Sequence, residues 1–216
     1  MDAESRKLLK NGLWDNNPAL VQILGLCPLL AVSNTFINAL GLGIATIFVL
    51  TLSNSLVSLT RGFLRNEIRI PVFVLLIASA VTLCEILIQA FAYPLYQSLG
   101  IYLSLIVTNC VIIARAEAYA VKNTVKYAAL DGLFMGIGFA LILLLLGAIR
   151  EILAQGTLFS GAHLIFGDDA ADWRIQVIKI DNGMILAALP AGAFICYGFL
   201  VAGKQAADNL LKNKKD

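Results

Sequence analysis

The sequence predicts an all-α integral membrane protein with six transmembrane segments in an inverted 3+3 repeat. The first observation is composition: 59% of the 216 residues are hydrophobic and 14% are charged, whereas soluble domains carry roughly 25% charged residues. The second is that the apolar residues form six runs separated by charged stretches, and the third is a similarity between the two halves. One membrane domain over residues 1–216 is expected at this length, and a net charge of +2 gives no indication of nucleic-acid binding.

The six apolar runs differ in length. A bilayer core of about 30 Å needs roughly 20 helical residues; the second, third and sixth runs meet this requirement and the fifth nearly does. The first run is shorter and contains Gly25 and Pro28, and the fourth is equally short and contains Thr108 and Asn109. The first and fourth segments are therefore predicted to be interrupted or half-length. The runs are Ala19–Val32, Ala39–Leu59, Ile70–Tyr93, Ile101–Ala114, Gly132–Ile149 and Gly183–Gly203.

The basic residues orient these segments. If the N-terminus lies inside, most of the 16 lysines and arginines fall in cytoplasmic segments, including a basic C-terminal tail. The outer loops then hold only Arg150, Arg174 and Lys179, in a long outer loop at about residues 151–182. Because cytoplasmic loops carry an excess of Lys and Arg, both termini are predicted to be cytoplasmic.

Two short stretches, one in each half, match in position. GLCPLLA, which contains Cys27, lines up with TNCVIIA, which contains Cys110. In each half a linker and a glycine-containing apolar run follow, and that run closes on Arg61 or Arg150. Three segments per half is an odd number, so the second half must enter the membrane from the opposite side. The two repeats are predicted to cover residues 1–104, with the N-terminal tail, and residues 105–216.

Cys27 and Cys110 therefore occupy corresponding points in the two short runs. At about 1.5 Å of rise per residue each is expected about 14 Å deep, near the middle of the bilayer core. Paired interrupted segments indicate a central site, and thiolates suit iron–sulfur clusters, zinc or cuprous copper. Two cysteines make half of the four-cysteine set that a cluster usually needs. The alternative is that each thiol packs as a small apolar group, which is the interpretation for Cys84 and Cys196.

The residues around both cysteines also carry a family resemblance. From about Leu13 to Gly203 the chain resembles the E subunit of the Rnf electron-transport complex, and more distantly the D subunit of the sodium-translocating NADH:quinone reductase. The matching stretches are WDNNPALVQILGLCPLLAV, ALGLGIATIFVLTL, QSLGIYLSLIVTNCVIIARAEAYA, DGLFMGIG, GTLF and LPAGAFI.

This resemblance implies a function that the residues alone leave open. It implies a translocase component in the bacterial inner membrane, within a complex that couples electron transfer between ferredoxin and NAD to ion transport. The expected partners are the B, C, D and G subunits of the Rnf complex and its homologous A subunit, which has the opposite topology. The A and E subunits would each supply two cysteines to one intramembrane [2Fe–2S] cluster. The matching ligands here are Cys27 and Cys110, and nothing carries over to Cys84 or Cys196.

Other polar residues have competing interpretations. Glu85 lies inside an apolar run, so it belongs either to an ion path or to a hydrogen-bonded helix interface. Arg115 and Glu117 are expected to form an interfacial salt bridge and anchor at the inner face; the alternative is that they hold the inner end of the broken segment or contact a cytoplasmic partner. His163 is expected to be a solvated loop residue.

No motif for independent catalysis is found in the sequence. The DGLFMGIG stretch lacks the ending of a phosphate loop, and its glycines Gly132, Gly136 and Gly138 are expected to permit close helix packing. The chain is therefore expected to have no catalytic site of its own. The alternatives are an inverted-repeat transporter or channel with a midplane substrate site, and a structural membrane scaffold.

Overall fold

The computed structural model describes residues 3–158, 175–176, 187 and 189–213, and the regular secondary structure of this part of the chain is helical apart from one two-residue antiparallel ladder. The helices are α1 Ala3–Lys10, α2 Leu26–Val32, α3 Phe36–Thr60, α4 Arg69–Phe91, α5 Tyr93–Val107, α6 Cys110–Arg115, α7 Val125–Gln155 and α8 Pro190–Asn213. Shorter elements are π-helical turns at Asn11–Asp15 and Ala116–Ala120, a 3₁₀ turn at Asn66–Ile68, and strands β1 Thr157–Leu158 and β2 Ile175–Gln176.

Four helical segments in the described residues are long and apolar enough to cross a membrane. They are Phe36–Thr60, Arg69–Phe91, Tyr93–Ala120 and Val125–Ala154. The second, third and fifth apolar runs therefore form membrane-length helices, as predicted. The sixth run contributes most of α8, although its first residues lie outside the described part of the chain. The full set of six segments and the inverted repeat stay predictions, and the expected division at residue 104 falls inside α5.

The fourth apolar segment is longer than the sequence predicted. α5 begins at Tyr93, directly after α4, and only Ala92 separates the two helices. Pro94 occupies the first turn of α5, where a proline is tolerated because its missing N–H would be unsatisfied anyway. Leu99 and Leu103 are fully buried, so the residues before the predicted start of the run at Ile101 also belong to a packed helix. The segment is then broken after Val107, as predicted.

Only half of the first apolar run is helical, in agreement with the predicted half-length segment. Its helix, α2, begins only at Leu26, because residues 16–25 form turns and irregular backbone. Asn17 holds these turns: its Oδ1 accepts the N–H groups of Ala19 and Leu20 at 3.0 and 3.1 Å, and its Nδ2 donates to the carbonyl of Gly138 at 3.1 Å. A side chain that bonds its neighbours' backbone competes with helix formation, which the apolar composition of the run did not reveal.

α3 and α7 form the centre of the fold. A Cβ at Gly132 would lie 2.9 Å from the carbonyl oxygen of Leu50, and one at Gly136 would lie 3.0 Å from the Cα of Ile47. The predicted close packing through these glycines is confirmed. Gly138 instead meets the N-terminal segment, since a Cβ there would clash with the carbonyl oxygen of Gly12.

Candidate intramembrane cysteine site

Each of the two predicted ligands lies at the start of a short helix. Cys27 is the second residue of α2, and Cys110 is the first residue of α6. Gly25 precedes α2 in a left-handed conformation, with φ 76°, which glycine adopts at little cost. Asn109 precedes α6, and its Oδ1 accepts the N–H of Val111 at 3.1 Å. Both breaks are therefore built by residues suited to end one helical path and begin another.

The two breaks are in direct contact. The backbone N–H of Gly25 donates a hydrogen bond to Sγ of Cys110 at 2.9 Å. A Cβ at Gly25 would lie 2.9 Å from Cγ2 of Val111 and 3.2 Å from Oδ1 of Asn109. The structure thus brings together two stretches that lie 85 positions apart in the sequence. Their depth in the bilayer stays a prediction.

The four cysteines differ in exposure. Cys27 is exposed, Cys110 and Cys196 are half-buried, and Cys84 is buried between helices, as expected of a small apolar residue. Cys27 points outward because its neighbours Pro28 and Leu29 are the residues of α2 that pack inward. An exposed thiol in an otherwise apolar helix is accessible to a second protein chain.

The polar groups around the site are only partly satisfied. Asn109 is fully buried, and its Nδ2 has no hydrogen-bond partner among the described residues. Leaving a buried donor unpaired costs free energy, so such a group calls for an explanation. In the same part of the chain no group of three or more His, Cys, Asp or Glu residues is close enough to hold a metal ion. The two cysteines would therefore need ligands from elsewhere to complete a metal site.

Arg115 at the end of α6 and Glu117 just after it have partners other than the predicted salt bridge. Arg115 does not bind Glu117; its Nε donates to Oδ2 of Asp131 at 2.9 Å, and Nη2 also contacts Oδ1. Glu117 instead accepts from Arg69 at 3.1 Å. Asp131 is almost fully buried, and sequence reasoning missed it. The available signal was a carboxylate at the head of an apolar run, which marks a functional or paired group.

The C-terminal end of α7 also corrects the sequence analysis. Arg150 and Glu151 were expected at the start of the outer loop, but both are fully buried and helical, since α7 continues to Gln155. Arg150 donates to the end of α2, and Glu151 accepts from the N–H of Phe36 at the start of α3. These hydrogen bonds allow two charged residues to be buried. The helix ends at Gly156, which is left-handed with φ 65°. The rest of the predicted outer loop, including His163, lies largely outside the described residues.

Glu85 is half-buried and forms a hydrogen bond to the neighbouring helix. The hydroxyl of Tyr96 donates to Oε1 of Glu85 at 3.2 Å, which joins α4 to α5. This contact agrees with the hydrogen-bonded alternative of the sequence analysis. An ion path through Glu85 stays a prediction.

Comparison with known proteins identifies the family. A family described as "Rnf-Nqr subunit, membrane protein" matches residues 5–201. The E subunit of the ion-translocating oxidoreductase complex of Vibrio vulnificus is 60% identical over 213 residues, covering 99% of this chain and 93% of that protein. The proteins of the same name from Shewanella amazonensis and Vibrio cholerae are 60% and 58% identical, over 97% and 95% of this chain and 90% of each relative. The family resemblance is therefore confirmed, and the chain belongs to the Rnf-Nqr family of membrane subunits.

Proposed function

We propose that this chain is the E subunit of an ion-translocating oxidoreductase complex and that Cys27 and Cys110 supply two of four cysteine ligands to a [2Fe–2S] cluster. The homologous A subunit, of opposite topology, would supply the other two. The observation that carries the proposal is the contact between the two breaks, in which the Gly25 N–H meets the Cys110 thiol at 2.9 Å.

The donor set fits this cluster. Cysteine thiolates are its usual ligands, and two in this chain leave two to come from a partner. Cys27 is exposed, so a second chain can approach it. The Gly25 N–H already donates to Cys110 sulfur, and hydrogen bonds to cluster sulfurs raise the reduction potential. The buried Nδ2 of Asn109 is a further donor suited to an anionic group.

When bound, such a cluster supplies one-electron transfer. This chain would hold two thiolates in place and provide donors that offset negative charge. It would also exclude water, since Val111, Leu29 and Phe139 beside the breaks are fully buried. Because the sequence carries no motif for independent catalysis, ferredoxin and NAD chemistry would belong to the complex as a whole.

The same proposal includes the membrane arrangement. Two halves of three segments would enter the bacterial inner membrane from opposite sides, with both termini cytoplasmic. Support comes from the two helices that each start at a break, α2 and α6, and from the paired long helices α3 and α7 that follow them. The relatives are named as E subunits of an ion-translocating oxidoreductase complex, which supports coupling of electron transfer to ion movement.

The test is iron analysis with low-temperature EPR of the purified complex carrying Cys27→Ser or Cys110→Ser. We expect either variant to lose the membrane-domain cluster signal, because a serine oxygen is a poor substitute for a soft ligand. Cys196→Ser is the matched control, since Cys196 is half-buried like Cys110, and it should keep the signal. An unchanged signal in both ligand variants would show that the cluster assignment is wrong.

A further inference from the structure

Each of the two long central helices has an arginine near its C-terminal end that binds the chain at, or beyond, the end of a short cysteine helix. Arg150 in the last turns of α7 reaches α2, and Arg61 at the end of α3 reaches the chain that follows α6. Each arginine belongs to the half of the chain opposite to the cysteine helix it contacts.

Arg150 binds the end of α2 from a fully buried position. Its Nη1 donates to the carbonyl of Leu30 at 3.3 Å and to Oγ of Ser33 at 2.7 Å. Leu30 lies in the last turn of α2, where carbonyls have no partner within the helix. The remaining guanidinium nitrogens donate to the carbonyls of Ala187 and Leu189, at 3.0 and 3.2 Å. Arg150 thus ties the end of α2 to the residues that precede α8.

Arg61 makes the corresponding contacts with the segment that contains α6. Its Nη1 donates to the carbonyls of Val121 and Asn123, at 3.2 and 2.7 Å. These residues follow the π-helical turn Ala116–Ala120 that continues α6. Oγ of Ser58, one turn earlier in α3, binds the same Asn123 carbonyl at 2.7 Å. Unlike Arg150, Arg61 is exposed.

We propose that Arg61 and Arg150 are a crossed pair of positioning residues, Arg150 for Cys27 and Arg61 for Cys110. A helix as short as α2 or α6 is not stable alone, and each begins at a non-helical break. The position of each cysteine therefore depends on what holds the other end of its helix. At about 1.5 Å of rise per residue, Cys27 lies about 9 Å along the helix from Ser33, to which Arg150 donates. Cys110 lies farther from Val121 and Asn123, to which Arg61 donates. The Arg115–Asp131 pair also holds the helix that begins at Cys110. The Arg150 effect should be the larger.

This inference rests on the proposed function in one respect: positioning the two cysteines would set the geometry of the shared cluster. The contacts themselves exist without the cluster and can be tested without it. A general role in stability would loosen both cysteine helices together, whereas a crossed pair loosens one at a time.

The experiment places a nitroxide spin label on Cys27 or on Cys110 in the full-length chain, with the other three cysteines changed to serine. Each labelled chain then carries Arg150→Gln or Arg61→Gln. We expect Arg150→Gln to narrow the EPR line of the label at Cys27 and not that at Cys110, and Arg61→Gln to do the reverse with a smaller change. Arg→Lys at either position should restore part of the original line, since lysine keeps the charge without the planar fork.

Equal changes at both cysteines, or no change at either, would overturn the proposal. If Arg150→Gln does not fold, Ser33→Ala removes one acceptor of Arg150 and should give a smaller narrowing at Cys27 alone. The cluster is read separately, by EPR of the assembled complex with native cysteines. If the cluster is missing but each arginine variant still mobilises the label at its own cysteine, only the proposed function is refuted. If the cluster is present but the arginine variants do not act in this way, only the positioning role of Arg61 and Arg150 is refuted.

Discussion

Replacing Gly25 with alanine tests the contact between the two breaks. The new Cβ would lie 2.6 Å from Cε2 of Phe139 and 2.9 Å from Cγ2 of Val111, and both residues are fully buried. A left-handed conformation costs a non-glycine residue roughly 1–2 kcal/mol, and overpacking a dense core costs roughly 1–3 kcal/mol. We therefore expect Gly25→Ala to lower the free energy of unfolding by about 2–5 kcal/mol.

The assay is SDS-induced unfolding of the purified chain, followed by circular dichroism, with Gly203→Ala as the control. Gly203 is helical, and a Cβ there would meet nothing within 4 Å, so alanine should stabilise by up to about 1 kcal/mol. In the assembled complex Gly25→Ala should also alter the cluster EPR spectrum, because the N–H donor to Cys110 is displaced. Wild-type stability and an unchanged spectrum together would refute the described contact between the breaks.

Three further changes probe other parts of the fold. Asp131→Asn should lower the free energy of unfolding by up to about 3 kcal/mol, because Arg115 loses its carboxylate partner. Adding Arg115→Met should recover part of this stability, and an equal or larger loss in the double variant would contradict the pairing. Gly138→Ala should free the N-terminal helix, because its Cβ would clash with the carbonyl oxygen of Gly12; limited proteolysis should then cleave α1 faster, and cleavage at the wild-type rate would argue against this packing. A reporter fused to the C-terminus should be active in the cytoplasm, and periplasmic activity would contradict the predicted orientation.

The sequence predicts features that depend on local chemistry. Gly25 beside Pro28, and Thr108 beside Asn109, mark the breaks at α2 and α6 because these residues end or redirect helices. The close packing of α7 against α3 follows from small residues in an apolar helix, of which Gly136 is the clearest case.

Features that depend on tertiary partners were not predicted. Arg150 and Glu151 follow an apolar run, which is also how an outer loop begins. They remain helical because the N–H of Phe36 donates to Glu151 at 2.7 Å and the end of α2 accepts from Arg150. Asp131 was missed for the same reason, since nothing in the sequence pairs it with Arg115. Which residues pair in a buried ion pair can be read only from the folded structure, because the fold brings them together.

The cysteine helices and the central helices have different roles in this architecture. α3 and α7 approach each other closely enough for Gly132 to meet the backbone at Leu50, which makes a dense frame of the kind that resists deformation. The short helices α2 and α6 carry the thiols but lack the length to be stable alone. Their geometry is therefore set by side chains of α3 and α7 that bind at their ends, such as Arg150. It follows that the properties of the proposed cluster should respond to residues of α3 and α7 that touch neither cysteine. A substitution such as Arg150→Gln should shift the EPR spectrum without removing a ligand.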